Sequence, residues 1–117
     1  MDIKNIQRHG KAFNDAKVAI FNINRSYVPN DPQKSDIKAS VQGDWVVSDS
    51  NAGQIKYIFA EYKSTIIGVF EINGDPIKIK NRYRFDINDI SSDTNASILI
   101  GLNTHRVQGE ANPVRIY

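Results

Sequence analysis

The residues best equipped for chemistry are Asp44 and, further on, Glu61-Tyr62-Lys63. An acidic residue followed at a distance by Glu-x-Lys suits Mg²⁺-dependent phosphodiester hydrolysis: the carboxylates hold the metal and the lysine assists the attacking water. So short a pattern also arises wherever a hairpin has a solvated tip, and that is the first expectation for Lys63. A second constellation is the alternation Lys78, Lys80, Arg82, Arg84, with Arg106 and Arg115 following toward the end. Cations in a row on one strand face can track phosphates; they also keep an exposed strand from pairing with another chain. Lys4, Arg8, His9 and Lys11 sit together near the start. His9 and His105, the only histidines, have no neighbours at metal-ligand spacing. Thr104-His105-Arg106 has no nucleophile-elbow motif with it, and neither Gly-x-x-x-x-Gly-Lys nor Gly-x-Gly-x-x-Gly occurs to cradle a phosphate.

These side chains need a scaffold, and the composition supplies one. The chain has 117 residues, 40% hydrophobic and 24% charged, which are globular values for one domain with its own core. It has no cysteine, so disulfides, thiolate nucleophiles and cysteine zinc sites are excluded. A net charge of +2 says little about a nucleic-acid partner; the distribution of charge matters more. The longest apolar run, Ile98 to Leu102, is far short of the ~20 residues that span a bilayer. Met1-Asp2-Ile3-Lys4 lacks the basic flank and apolar stretch of a secretory signal. A cytoplasmic location with no membrane partner is expected.

Residues 1–16 read as an N-terminal arm and 17–117 as a single domain. Val18 to Ile23, β-branched and aromatic, predicts a buried strand, and the prolines of Arg25 to Pro32 predict a loop. A short helix is expected from Asp36 to Gln42, with Ser35 as N-cap and Gly43 as its stop. Asp44 to Val47 reads as a strand and Ser48 to Gly53 as turn. The strongest unit is a hairpin: Ile55 to Ala60 and Ile66 to Ile72 across a polar link at Lys63-Ser64. Both its faces are apolar, which places it at the centre of a sheet. Ile77 and Ile79 alternate with lysines; Tyr83, Phe85 and Ile87 alternate with Arg82, Arg84 and Asp86, giving a half-buried strand with a basic side. Asn88 to Ser97 is a loop, Ile98 to Leu102 another strand, and Val114-Arg115-Ile116 the last. Few parallel crossovers are signalled. The expected fold is α+β: a small, partly closed β-barrel of about five to seven strands with one or two short helices.

The run Ile20 to Tyr27, then Asp36-Ile37-Lys38-Ala39-Ser40, Gly43-Asp44-Trp45, Tyr57 to Ala60 and Ile67 to Ile72 resembles the opening of YTH and EVE domains. Both belong to the PUA-like superfamily, whose members bind RNA or DNA and often hold a modified base. The Trp45 region, Phe59 to Tyr62, Gly68 to Ile72, Arg82 to Phe85 and Asn112 to Arg115 are also similar to the C-terminal module of bacterial GIY-YIG-type nuclease proteins. No part of the chain matches the nuclease half. The first resemblance implies that Trp45 is one wall of an aromatic cage. A base against such a wall gains about 1–3 kcal/mol, and Asn22, Asn24, Ser26 or Asp44 would read its edge. Trp45 is the only tryptophan, so Tyr27, Tyr62 or Tyr83 would have to replace the other walls; an indole here serves equally well as a core residue or hairpin lid.

The reading expected from all this is a non-catalytic nucleic-acid-binding module without a cofactor. A base would lie against Trp45, with phosphates on Lys78, Lys80, Arg82, Arg84, Arg106 and Arg115. The alternatives are a stand-alone phage or bacterial protein that docks on and inhibits a host protein complex, and the Mg²⁺-dependent nuclease.

Overall fold

Every residue from Val18 to Phe21 is apolar, so a strand there must be covered on both faces. The computed structural model, which describes residues 17–104 and 113–116, covers it in that way. In chain order the elements are β1 (Lys17–Asn22), α1 (Ile37–Gln42), α2 (Asp49–Ala52), β2 (Ile55–Tyr62), β3 (Thr65–Ile72), β4 (Ile77–Ile79), β5 (Arg82–Arg84), β6 (Ile87–Asp89), α3 (Thr94–Ser97) and β7 (Val114–Ile116). The main sheet runs β6-β3-β2-β1-β7, and β4 with β5 forms a separate two-stranded ribbon. The α+β class and the central place of the β2–β3 hairpin agree with expectation. The barrel does not: among the described residues the sheet is open, with β6 and β7 at its edges. One parallel crossover is present among the described residues. β1 and β2 are parallel, so residues 23–54 must form a crossover, and they carry α1 and α2 over one face.

That face presents Ala19, Phe21, Ile23, Ile58, Ala60 and Phe70 to Val41 of α1, Ala52 of α2, and Val47, Tyr83 and Phe85. The opposite face presents Val18, Ile20, Phe59, Ile66 and Val69 to Ala96 and Leu99. Gly68 lies where α1 meets the sheet: a Cβ there would stand 2.9 Å from the Phe70 ring and 3.2 Å from Ile37. A bare Cα lets the helix approach.

Local chemistry explains the differences from the sequence pattern. The N-cap of α1 is Asp36, not Ser35, because the Asp36 carboxylate accepts from the Ala39 amide at 3.1 Å. The supposed turn at 48–53 holds α2, capped by the Ser48 hydroxyl accepting from the Asn51 amide. Asp44 to Val47 makes one bridge, Trp45 to Tyr83, rather than a strand. Ile98 to Leu102 is not a strand either. Successive i→i+3 bonds wind it after α3, burying Leu99 while Ile98 and Ile100 stay exposed. Arg82 to Ile87 is broken into β5 and β6, which belong to different sheets, with Phe85 buried between them. At the β2–β3 tip Lys63 and Ser64 take φ of 49° and 60°. That costly conformation is held by Asn24 Oδ1, which accepts from the Lys63 amide at 2.8 Å, and by the Ser64 carbonyl, which accepts from the Thr104 amide at 2.8 Å. No helix among the described residues is long and apolar enough to cross a membrane. The expected arm at 1–16, His9, His105 and Arg106 lie outside the described residues.

Candidate functional site

The β4–β5 ribbon opposes Ile77 to Arg84, Lys78 to Tyr83 and Ile79 to Arg82. Directly opposed residues share a face. Ile77, Ile79, Arg82 and Arg84 therefore lie on one side, and Lys78 and Tyr83 on the other. The single basic row expected of Lys78, Lys80, Arg82 and Arg84 is divided, because the turn at Lys80-Asn81 resets the alternation. Lys80 itself sits in that turn with φ of 57°.

The inner side fastens the ribbon to the body. The hydroxyl of Tyr83 donates to Asp49 Oδ1 at 2.5 Å, and Lys78 Nζ reaches the same oxygen at 3.0 Å while lying 5.8 Å from the Tyr83 ring centre. The Tyr83 hydrogen bond, helped by Lys78, holds the Asp49 carboxyl below its ordinary value. The bond to Asp49, and then burial, push Tyr83 up; the bond to Asp49 pushes Lys78 up. Linkage fixes the sign of the pH response. The depressed Asp49 contributes stability that is whole above 3.8 and lost as pH falls through its lower folded value. The raised Tyr83 and Lys78 contribute stability that is whole below 10.0 and lost as pH climbs through their higher folded values. The stability gap between the native chain and Tyr83→Phe should therefore be flat from about pH 5 to pH 9 and narrow beyond both ends. Urea midpoints across pH check this, and a gap that does not change with pH would mean the clasp carries no stability.

The outer side centres on Asp44. Arg84 Nε and Nη2 both lie 3.2 Å from Asp44 Oδ1, and Arg82 Nη1 donates to the Asp44 carbonyl at 3.2 Å. Next along, Trp45 exchanges backbone hydrogen bonds of 2.9 and 2.8 Å with Tyr83, so it adds a third segment to the ribbon. The indole is half-buried. Its ring lies 4.4 Å from that of Phe21 at 33°, and its N–H donates to the Val41 carbonyl at 2.6 Å. Trp45 opposes Tyr83 and so turns its indole to the inner side, whereas Asp44, Arg82 and Arg84 come together on the outer side, with Val46, Ile77 and Ile79 exposed beside them.

The other expected site residues go elsewhere. Asn22 alternates with Phe21 along β1 and so points to the opposite face of the sheet, where its amide donates to Glu61 Oε1 at 3.1 Å. Asn24 fixes the Lys63 turn. Ser26 is exposed in the loop after β1, its carbonyl accepting from the Ser40 hydroxyl. Tyr27 meets Tyr62 edge-on at 5.1 Å and 86°, rather than Trp45. Arg115 pairs with the fully buried Glu61, which also accepts from the Thr104 hydroxyl. Asp44 and Glu61 thus belong to two separate ion pairs, and among the described residues no group of three or more histidines or carboxylates is placed to hold a metal. Lys63 lies at the hairpin tip, 5.3 Å from the Tyr62 ring.

Asp49 and Thr104 were missed by sequence reasoning. Thr104 carried no signal. Ser48-Asp49 did, as a cap followed by an acid in the first turn. Compared with known protein families, curated proteins and solved structures, the chain matches none, so the geometry of the Trp45 ribbon carries the functional reading.

Proposed function

We propose that this domain is a nucleic-acid-binding module of the PUA-like kind, binding through the outer face of the ribbon, with the half-buried Trp45 at its edge. The observation that carries the reading is the pair Arg82 and Arg84 on the outer face of a small sheet, with Lys80 in its turn and Lys78 and the chain's one indole on its inner side. Asp44 holds the Arg84 guanidinium in place before any ligand arrives, which lowers the ordering cost of a charge-assisted contact. The open part of the indole offers a base an apolar surface.

Titrating short single- and double-stranded DNA and RNA at low salt, with Trp45 emission as the reporter, tests this. Binding should weaken steeply with salt, and Arg84→Ala should weaken it and make the log–log salt slope shallower by about 1. No binding to any of these oligonucleotides at low salt would sink the reading. The exposed Val46, Ile77 and Ile79 would then favour the second reading, docking on a protein partner.

A further inference from the structure

We infer, building on that reading, that the ligand is a B-form DNA duplex and that the β4–β5 ribbon enters its major groove outer face first. A two-stranded antiparallel ribbon fits the ≈12 Å width of that groove, and β4 and β5 form such a ribbon separate from the main sheet, flanked along the other edge of β5 by the single Trp45 bridge. Its outer face presents two adjoining cross-strand pairs, Ile77 with Arg84 and Ile79 with Arg82. Residues two apart on a strand are ~6.7 Å apart, close to two base-pair steps of ~3.4 Å. Each pair can therefore address its own step. Arginine reads guanine O6 and N7, and an aliphatic side chain packs on a thymine methyl.

The exposure pattern fits base contact. Ile77 is 57% exposed and Ile79 37%, an aliphatic surface that gains nothing from phosphates. Asp44, paired with Arg84 on this face, repels phosphates, so the backbones belong at the rim, where Lys80 and Asn81 form the tip and Lys78 stands on the inner side. A single strand would need a series of stacking rings, and the outer-face residues of β4 and β5 are aliphatic or cationic. Duplex RNA presents a deep, narrow major groove that side chains do not read.

The test uses the whole chain and four probes: a mixed-sequence DNA duplex, each of its single strands, and the RNA duplex of the same sequence. Fluorescence anisotropy is expected to show the DNA duplex bound at least tenfold more tightly than the others. Guanine N7 should be protected from methylating reagent, and Ile77→Ser, at an exposed position, should reduce duplex binding severalfold. Preference for a single strand or for RNA overturns the inference and leaves the proposed function standing. Duplex preference without N7 protection overturns groove entry. Binding to none of the probes removes both.

Discussion

Replacing Glu61 with glutamine is expected to remove about 3–5 kcal/mol of folding stability, a large share of the roughly 5–15 kcal/mol such a domain possesses. The Glu61 side chain is fully buried on β2, and the Arg115 side chain on β7 is only 15% exposed. Asn22 donates to one carboxylate oxygen, and Thr104 and Arg115 to the other. The glutamine keeps the shape but takes the negative charge from beside the guanidinium in a site with little water. Arg115→Met should cost a similar amount for the mirror reason, since it leaves the carboxylate without its cation. The pair as such is worth far less than either loss, because desolvating two charges offsets most of their attraction. Glu61→Leu combined with Arg115→Met is therefore expected to recover most of the deficit, and the double-mutant cycle isolates that coupling. Urea midpoints at unchanged slope measure all of these. If Glu61→Gln alone shifted stability by less than about 1 kcal/mol, the pair would not be what fastens the short β7 to the sheet.

The same cluster shows what the sequence could and could not disclose. A glutamate ending the run Ile58-Phe59-Ala60-Glu61 is buried only if it is paired. That signal was legible, and it asked for a cation. Its cation, Arg115, lies far off in the chain, and the β1–β7 pairing brings it across. Local patterns were read correctly where the pattern is local: the β2–β3 hairpin from alternation and a two-residue link, and α1 from the i, i+4 spacing of Ile37 and Val41, though its cap is Asp36 rather than Ser35. The parallel register of β1 on β2 has no such local mark. The division of the basic row has a similar origin. Lysine at Lys80 adopts a left-handed turn that glycine or asparagine would have announced, so the alternation was carried straight through it. Ile98 to Leu102 failed because a short apolar run has no period that separates strand from turn. At the site, which face Trp45 and each asparagine take depends on strand parity and pairing together, which no local pattern marks.

Phe21→Ala is expected to cost about 3–5 kcal/mol as well, and its consequences reach the proposed interface. Phe21 is fully buried, 4.4 Å from the Trp45 ring and 5.8 Å from that of Phe85 at 53°. Losing the ring removes the surface on which the indole rests, while the Val41 carbonyl still holds its N–H. The alanine variant confounds that effect with partial unfolding. Phe21→Leu separates them, because it keeps most of the volume and should cost less than about 1.5 kcal/mol. In this folded variant Trp45 emission should shift to the red as water reaches the indole, and oligonucleotide affinity should fall. The salt slope should stay as it was, since Arg82 and Arg84 are anchored on Asp44 rather than on Phe21. Emission unchanged in Phe21→Leu would show that the helix carbonyl alone positions the indole. A changed salt slope would show that ring and cations are one mechanical unit, coupled through the Trp45 backbone and its two hydrogen bonds to Tyr83 or through Phe85, which follows Arg84 in the chain.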